Sequence, residues 1–284
     1  CSSDLRAMGG AALVFAEMTC VAADARITPA CPGLYTHEQM LAWRRIVDFV
    51  HQQSDAKIAV QLGHAGAKGS TRVAWQGIDQ PLPEHNWPLI SASAQQYLPG
   101  ISQLAKEADL ADLARVQAEF VAAAQAADQA GFDWLELHCA HGYFLSSFIS
   151  PLTNQRRDEY GGSLENRLRY PLEVFKAMRA AWPGHLPMSV RISASDWKEG
   201  GWDVEQSIEF CKRAKTVGID LVDVSSGGNA VDAKMTIRPG YQVPFARATS
   251  RPCSSRVLGE SSGCSSPAAV GRFFSAWLPE CVAR

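Results

Sequence analysis

Asp133-Trp134-Leu135-Glu136-Leu137-His138-Cys139-Ala140-His141-Gly142-Tyr143 carries the pattern that decides the fold of this chain. Its first six residues are a short strand-like run built on Trp134, Leu135 and Leu137, and Gly131 just before it closes a long stretch of helical period over Leu110 to Ala130. A helix that ends on glycine and feeds a buried strand is a unit which, repeated, builds a parallel sheet covered by helices. The unit recurs on both sides. Strands are predicted over Ala12 to Met18, Lys57 to Gly63, Asp133 to His138, Pro187 to Ile192 and Asp220 to Ser225, each followed by a loop and then a helix. One helix starts at Thr36, whose hydroxyl caps free backbone amides while Gln39 reaches back, with Met40, Trp43, Ile46, Val47 and Phe49 as its apolar positions. The others are Leu110 to Ala130, Ser163 to Trp182 and Asp203 to Val217. The predicted fold class is α/β, a TIM-type (β/α)8 barrel with about five recognisable βα units.

Length agrees with that class, since 284 residues exceed the usual single domain while such barrels commonly reach about 250 residues as one unit. With 46% hydrophobic and 20% charged residues the chain has material for a sizeable core. A formal charge of −2 leaves no electrostatic footprint for nucleic acid or anionic lipid, so a small molecule is the expected partner. No apolar run approaches the roughly 18 residues of a membrane span and no leader pattern precedes a cleavage site, which predicts a cytoplasmic protein. Cys20, Cys31, Cys139 and Cys211 are widely spaced with no CxxC pair, and are expected to be buried thiols.

The two ends read differently. A domain is predicted over 6–246, with Cys1 to Leu5 outside any unit. From Arg247 to Arg284 serine, arginine, glycine, proline and cysteine dominate and the strand–helix alternation stops, consistent either with a disordered tail or with a shifted reading frame. Long connections at 64–108 and 139–162 both follow strand C-termini, where barrel enzymes gather their catalytic loops.

His138 and His141 leave an apolar strand three residues apart, with Tyr143 two further on. Three readings of the pair compete: a structural role, metal ligation, and hydrogen-bond donation to an oxyanion with the phenol as proton donor. No strand-end set of acids or histidines supplies further metal ligands, so no metal site is assigned. Gln61 interrupts an otherwise apolar strand, as does Arg191, for which the sequence shows no obvious acid opposite. Buried amides and guanidinium groups need partners. A cation, an amide and two imidazoles around one barrel mouth suit a planar, polar-edged, electron-accepting ligand such as a flavin.

Longer stretches are specific. Glu136 to Tyr143, Ser150-Pro-Leu-Thr-Asn154, Asp158 to Arg167, Gln61 to Gly66, Val190 to Ser195, Asp223 to Gly227 and Pro239 to Phe245 resemble, in order, the old yellow enzyme family, and its thermophilic-type ene-reductase branch most. Glu17 to Arg26 and Asn86-Trp-Pro88 also resemble the reductase half of anthraniloyl-CoA monooxygenase. The resemblance implies FMN as cofactor, NADH or NADPH as electron donor, and an enone or aromatic acyl-CoA type acceptor. It places backbone at Met18, the Gln61 amide and the Arg191 guanidinium on the flavin's pyrimidine edge, His138 and His141 on the substrate carbonyl, and Tyr143 as the proton donor, with an ordinary tyrosine pKa near 10. It gives Lys68 either a contact to substrate, nicotinamide or cofactor, or an exposed place in solvent. Asp158 to Arg167 is expected to brace a helix start rather than to catalyse.

The family's usual first strand and its last two βα units, which carry the phosphate loops, have no counterpart here. The expectation is therefore a truncated, partial barrel that binds FMN weakly or not at all. The competing readings are a metal-dependent barrel lyase or hydrolase using His138 and His141, and a non-catalytic fragment. Relatives leave room for a homo-oligomer or for fusion to a monooxygenase domain.

Overall fold

The computed structural model describes residues 2–253. Among them the elements follow one another as α1 (Ser2–Met8), β1 (Leu13–Cys20), α2 (His37–Gln53), β2 (Lys57–Gly63), β3 (Ile90–Ser91), β4 (Lys106–Glu107), α3 (Leu110–Ala130), β5 (Trp134–Cys139), α4 (Phe144–Ile149), α5 (Leu164–Ala181), β6 (Met188–Ser193), α6 (Val204–Thr216), β7 (Leu221–Ser225) and α7 (Val243–Cys253). Five strands form one parallel sheet in the order β1-β2-β5-β6-β7, and β3 pairs with β4 within the first long connection. Parallel neighbours joined through α2, α3, α5 and α6 are the consecutive βα units of a (β/α)8 barrel, here as an open sheet among the described residues.

Local chemistry sets the boundaries. Thr36 and Gln39 form a capping box on α2, and Asp109 with Asp112 does the same for α3. Gly131 ends α3 with φ 87°, in the left-handed region, while its N–H reaches back to Ala127 O and Asp128 O. Ser163 and Asp203 cap α5 and α6. The core lies between sheet and helices: Ile58, Val60, Leu135, Leu137, Val190 and Ile192 are almost wholly buried against residues such as Phe120, Val174 and Phe210.

Several expectations are corrected. Phe49 does not belong to the apolar face of α2; it is 41% exposed, and Val50, one residue on, is buried in its place because Met40, Val47 and Val50 share the inward stripe. Residues 2–5, expected to stand outside the fold, belong to α1, which packs on β1 and α2 and buries Ala7. Residues 247–253, assigned to an atypical tail, continue α7, which packs on α6 and β7 with Thr249 buried. The rest of that tail, 254–284, lies outside the described residues.

The second long connection holds α4, whose six residues are all buried. It is braced as expected of the Asp158 to Arg167 stretch. Arg167 donates to Ile149 O, Gly162 O and Gln206 Oε1, and Arg156 holds Asp158 while donating to Ala92 O and Ala108 O of the other long connection. Cys20, Cys139 and Cys211 are buried free thiols as expected, but Cys31 is only half-buried.

Candidate active site

Register puts the polar strand residues on shared levels. Gln61 pairs with Glu136, which pairs with Ser189; one level up, His138 pairs with Arg191, which pairs with Asp223. Glu136 and His138 are two apart in β5, as Ser189 and Arg191 are in β6, so both levels face the same way. In the lower level buried Glu136 accepts from Gln61 Nε2 at 2.8 Å and from Ser189 Oγ at 2.8 Å. In the upper level Arg191 Nε lies 3.2 Å from Asp223 Oδ2, so the arginine has an acid beside it after all. Adjacent strands supply this pair, and cross-strand register is invisible in a single sequence.

Burial pushes the Glu136 carboxyl up to about 7, aided by the Asp223 charge, against the hydrogen bonds from Gln61 and Ser189 and the Arg191 charge. Asp223 is also raised by burial, with Arg191 opposing. Met18 enters from β1, where the register shifts. A Cβ on Gly63 would stand 2.7 Å from Met18 Cγ and 3.4 Å from His138 Cβ, so glycine alone lets these strands close at this level.

The two imidazoles form a directed chain. His138 Nδ1 accepts the Ala140 N–H at 3.2 Å, so the neutral ring carries its proton on Nε2, which faces His141 Nδ1 at 3.3 Å. His141 then carries its own proton on Nε2, 2.7 Å from Ser225 Oγ. Both rings are neutral at physiological pH: burial, then His141, Arg191 and Lys68 hold His138 well below its ordinary value, and burial with Arg191 and Lys68 brings His141 down to about 3. His141 adopts φ 60°, a left-handed conformation costly for a side-chain-bearing residue, and its N–H is held by Ser193 Oγ at 2.9 Å. Close backbone packing fixes it further, since a Cβ on Gly228 would lie 2.5 Å from His141 Cα.

Tyr143 stands edge-on to His138, with ring centroids 4.9 Å apart. Its phenol is not at the ordinary value expected from sequence: burial, followed by the neighbouring Cys31, Asp79, Cys20 and Tyr97, pushes its pKa well up. Lys68 is not in solvent. Its ammonium donates to His141 O at 3.0 Å and Gly228 O at 3.4 Å and lies over the Tyr97 and Tyr143 rings, and burial brings it down to about 8. A cavity of ≈ 210 Å³ bordered by Tyr97, Gly142, Thr153, Asn229 and Asp232 opens beside this group.

The structure thus gathers His138, His141, Tyr143, Lys68, Gln61, Arg191 and Met18 at the C-terminal edge of one sheet, where TIM-type barrels place their chemistry. Sequence reasoning missed Glu136, Asp223 and Ser225 as their partners. Only the two-residue spacing of Glu136 and His138 hinted at the first. Among the described residues no three or more His, Cys, Asp or Glu side chains gather as a metal-binding group, and no helix is long and apolar enough to cross a membrane.

Residues 3–250 match the model of the NADH:flavin oxidoreductase / NADH oxidase family. The chain belongs to that family. It is 38% identical over 270 residues to an NADH:flavin oxidoreductase of Gibberella zeae, covering 89% of this chain and 65% of that one. It is 40% identical over 246 residues to an NADPH dehydrogenase of Geobacillus sp., covering 87% and 67%. The solved old yellow enzyme homologue from Zymomonas mobilis superposes with a TM-score of 0.69 at 26% identity, covering 87% of this chain and 69% of that one. This flavin oxidoreductase family is the old yellow enzyme family of the resemblance. Its present member spans about two thirds of the length of these curated relatives.

Proposed function

We propose that the whole protein is an FMN-dependent oxidoreductase that passes hydride from NADH or NADPH to an electron-poor double bond conjugated to a carbonyl, as in an enone or an aromatic acyl-CoA. The observation that carries this reading is the directed His138–His141 pair beside Tyr143, one level above Gln61 and Glu136.

The donor set fits a flavin. Gln61 offers an amide and Arg191 a guanidinium beside the close Met18–Gly63 approach, a combination suited to the carbonyls and N–H of a pyrimidine edge. FMN, when bound there, supplies the hydride chemistry that no side chain can. Backbone at Met18, with Gln61 and Arg191, would hold it.

The remaining residues act on the substrate. A carbonyl oxygen entering between the imidazoles replaces the long 3.3 Å His138–His141 contact and takes the His138 Nε2–H. The Ser225 hydroxyl, 2.7 Å from His141 Nε2, can donate as well as accept, so His141 can shift its proton to Nδ1 and become the second donor. Two donors on one oxygen draw electron density from the double bond. Tyr143 then delivers a proton to the α-carbon, and Lys68 over its ring stabilises the phenolate left behind. The adjoining cavity at Tyr97 and Asn229 takes the rest of the substrate.

The test is to purify the protein with FMN and follow NAD(P)H-dependent reduction of an enone together with flavin absorbance. Retained flavin and turnover lost in a His138→Ala/His141→Ala variant support the reading; undiminished turnover in that variant overturns it. Stoichiometric bound zinc together with hydrolase or lyase activity would favour the metal reading instead.

A further inference from the structure

Two thiols stand together beside this site, brought there by backbone pairing. The Cys20 N–H donates to Pro32 O and the Leu34 N–H to Cys20 O, both at 2.9 Å, in a parallel bridge that sets Cys20 opposite Gly33. Cys31 is joined directly to Pro32 and lies two residues before Gly33, so the bridge brings the Cys20 and Cys31 thiols side by side.

Donors converge on Cys31 Sγ. The Thr28 N–H is 3.4 Å away, and Thr28 Oγ1, which already accepts from the Ala30 N–H at 3.2 Å and so has its own proton to give, is 3.7 Å away. Two hydrogen-bond donors face one sulfur, with the Cys20 thiol beside it, an arrangement that favours the thiolate. Access divides the pair: Cys20 is fully buried and Cys31 half-buried. The Cys31 charge also reaches Tyr143, whose phenol it helps to raise.

We propose that Cys20 and Cys31 form a redox-active dithiol in which Cys31 attacks a hydroperoxide and Cys20 resolves the product to an intramolecular disulfide. The Cys31 thiolate attacks a peroxide oxygen; an S–O bond forms as the O–O bond breaks, and the departing oxygen takes a proton and leaves as water or alcohol. Sulfur is oxidised to the sulfenic acid while the peroxide is reduced. Cys20 sulfur then attacks Cys31 sulfur; an S–S bond forms, the S–O bond breaks, and hydroxide leaves as water with the Cys20 proton. The disulfide removes the Cys31 charge from beside Tyr143 and ties the loop over 20–31 to the end of β1, two residues beyond Met18.

The experiment uses the purified full chain, alkylated with iodoacetamide across a pH series and, separately, treated with one equivalent of hydrogen peroxide before non-reducing peptide mass mapping. Cys31 alkylation should be half-maximal near pH 6 in the native chain and near the free-thiol value of about 8.5 in urea. Peroxide should join the Cys20 and Cys31 peptides with loss of two hydrogens. In Cys20→Ser the reaction should stop at a sulfenic acid trapped by dimedone. A native Cys31 that titrates near 8.5, or wild-type peptides left unlinked by peroxide, overturns the proposal, and both measurements need only the wild-type chain.

Discussion

At the scale of single residues the site is a set of neutral or shielded groups whose protons are assigned by their neighbours. Tyr143 keeps its proton well into the alkaline range because burial and nearby acidic groups raise it. Tyr143→Phe should therefore lower the rate of substrate reduction by about 10²–10⁴-fold while leaving flavin reduction by NAD(P)H intact, which stopped-flow measurement of the two half-reactions separates. The wild-type rate should show no loss from tyrosine ionisation up to about pH 10, the unperturbed value. Ser225 is the partner that lets His141 choose its protonated nitrogen. Ser225→Ala should weaken enone binding by up to about tenfold, the worth of one hydrogen bond. The same variant should shift the His141 ¹⁵N resonances in NMR, a change that mere loosening of the fold would not confine to one ring.

At the scale of elements, caps and close contacts decide where strands and helices stop. Gly131 ends α3 with positive φ and feeds β5, so Gly131→Ala should cost about 1–2 kcal/mol by urea unfolding without changing ligand affinity. Arg167 ties α4 and the start of α5 to Gln206 in α6. Its removal leaves buried carbonyls without their donor, and Arg167→Ala should lower stability by about 1–3 kcal/mol per orphaned acceptor and loosen the 139–162 connection, read as faster amide exchange there. Five strands and four main helices were legible in sequence to within a residue or two because period and capping are local properties. By contrast α4 was not, since six residues buried on every side show no helical period, and neither were the two-residue strands β3 and β4.

At the scale of the molecule, the sheet carries a buried acid in its middle. The Glu136 carboxyl sits at about 7 in the folded chain against about 4.3 when unfolded, so between these values the native state holds more protons. Stability should fall as pH rises through that window, by up to about 1.4 kcal/mol per pH unit, and the slope should shrink in Glu136→Gln, which keeps an acceptor for Gln61 and Ser189. Thermal unfolding at a series of pH values measures it.

The sequence by itself determined the parallel α/β plan, the chemical vocabulary at the strand ends and, through the stretches around His138 and Asp158, the family. These follow from local periodicity and from contiguous residues. Only the tertiary structure decided that Arg191 stands against Asp223, that the Lys68 ammonium is held on the His141 carbonyl, that Glu136 carries Gln61, and which nitrogen of each imidazole bears its proton. Each of these depends on register between strands far apart in sequence and on the loss of water around the groups, and neither is written in any one stretch of chain.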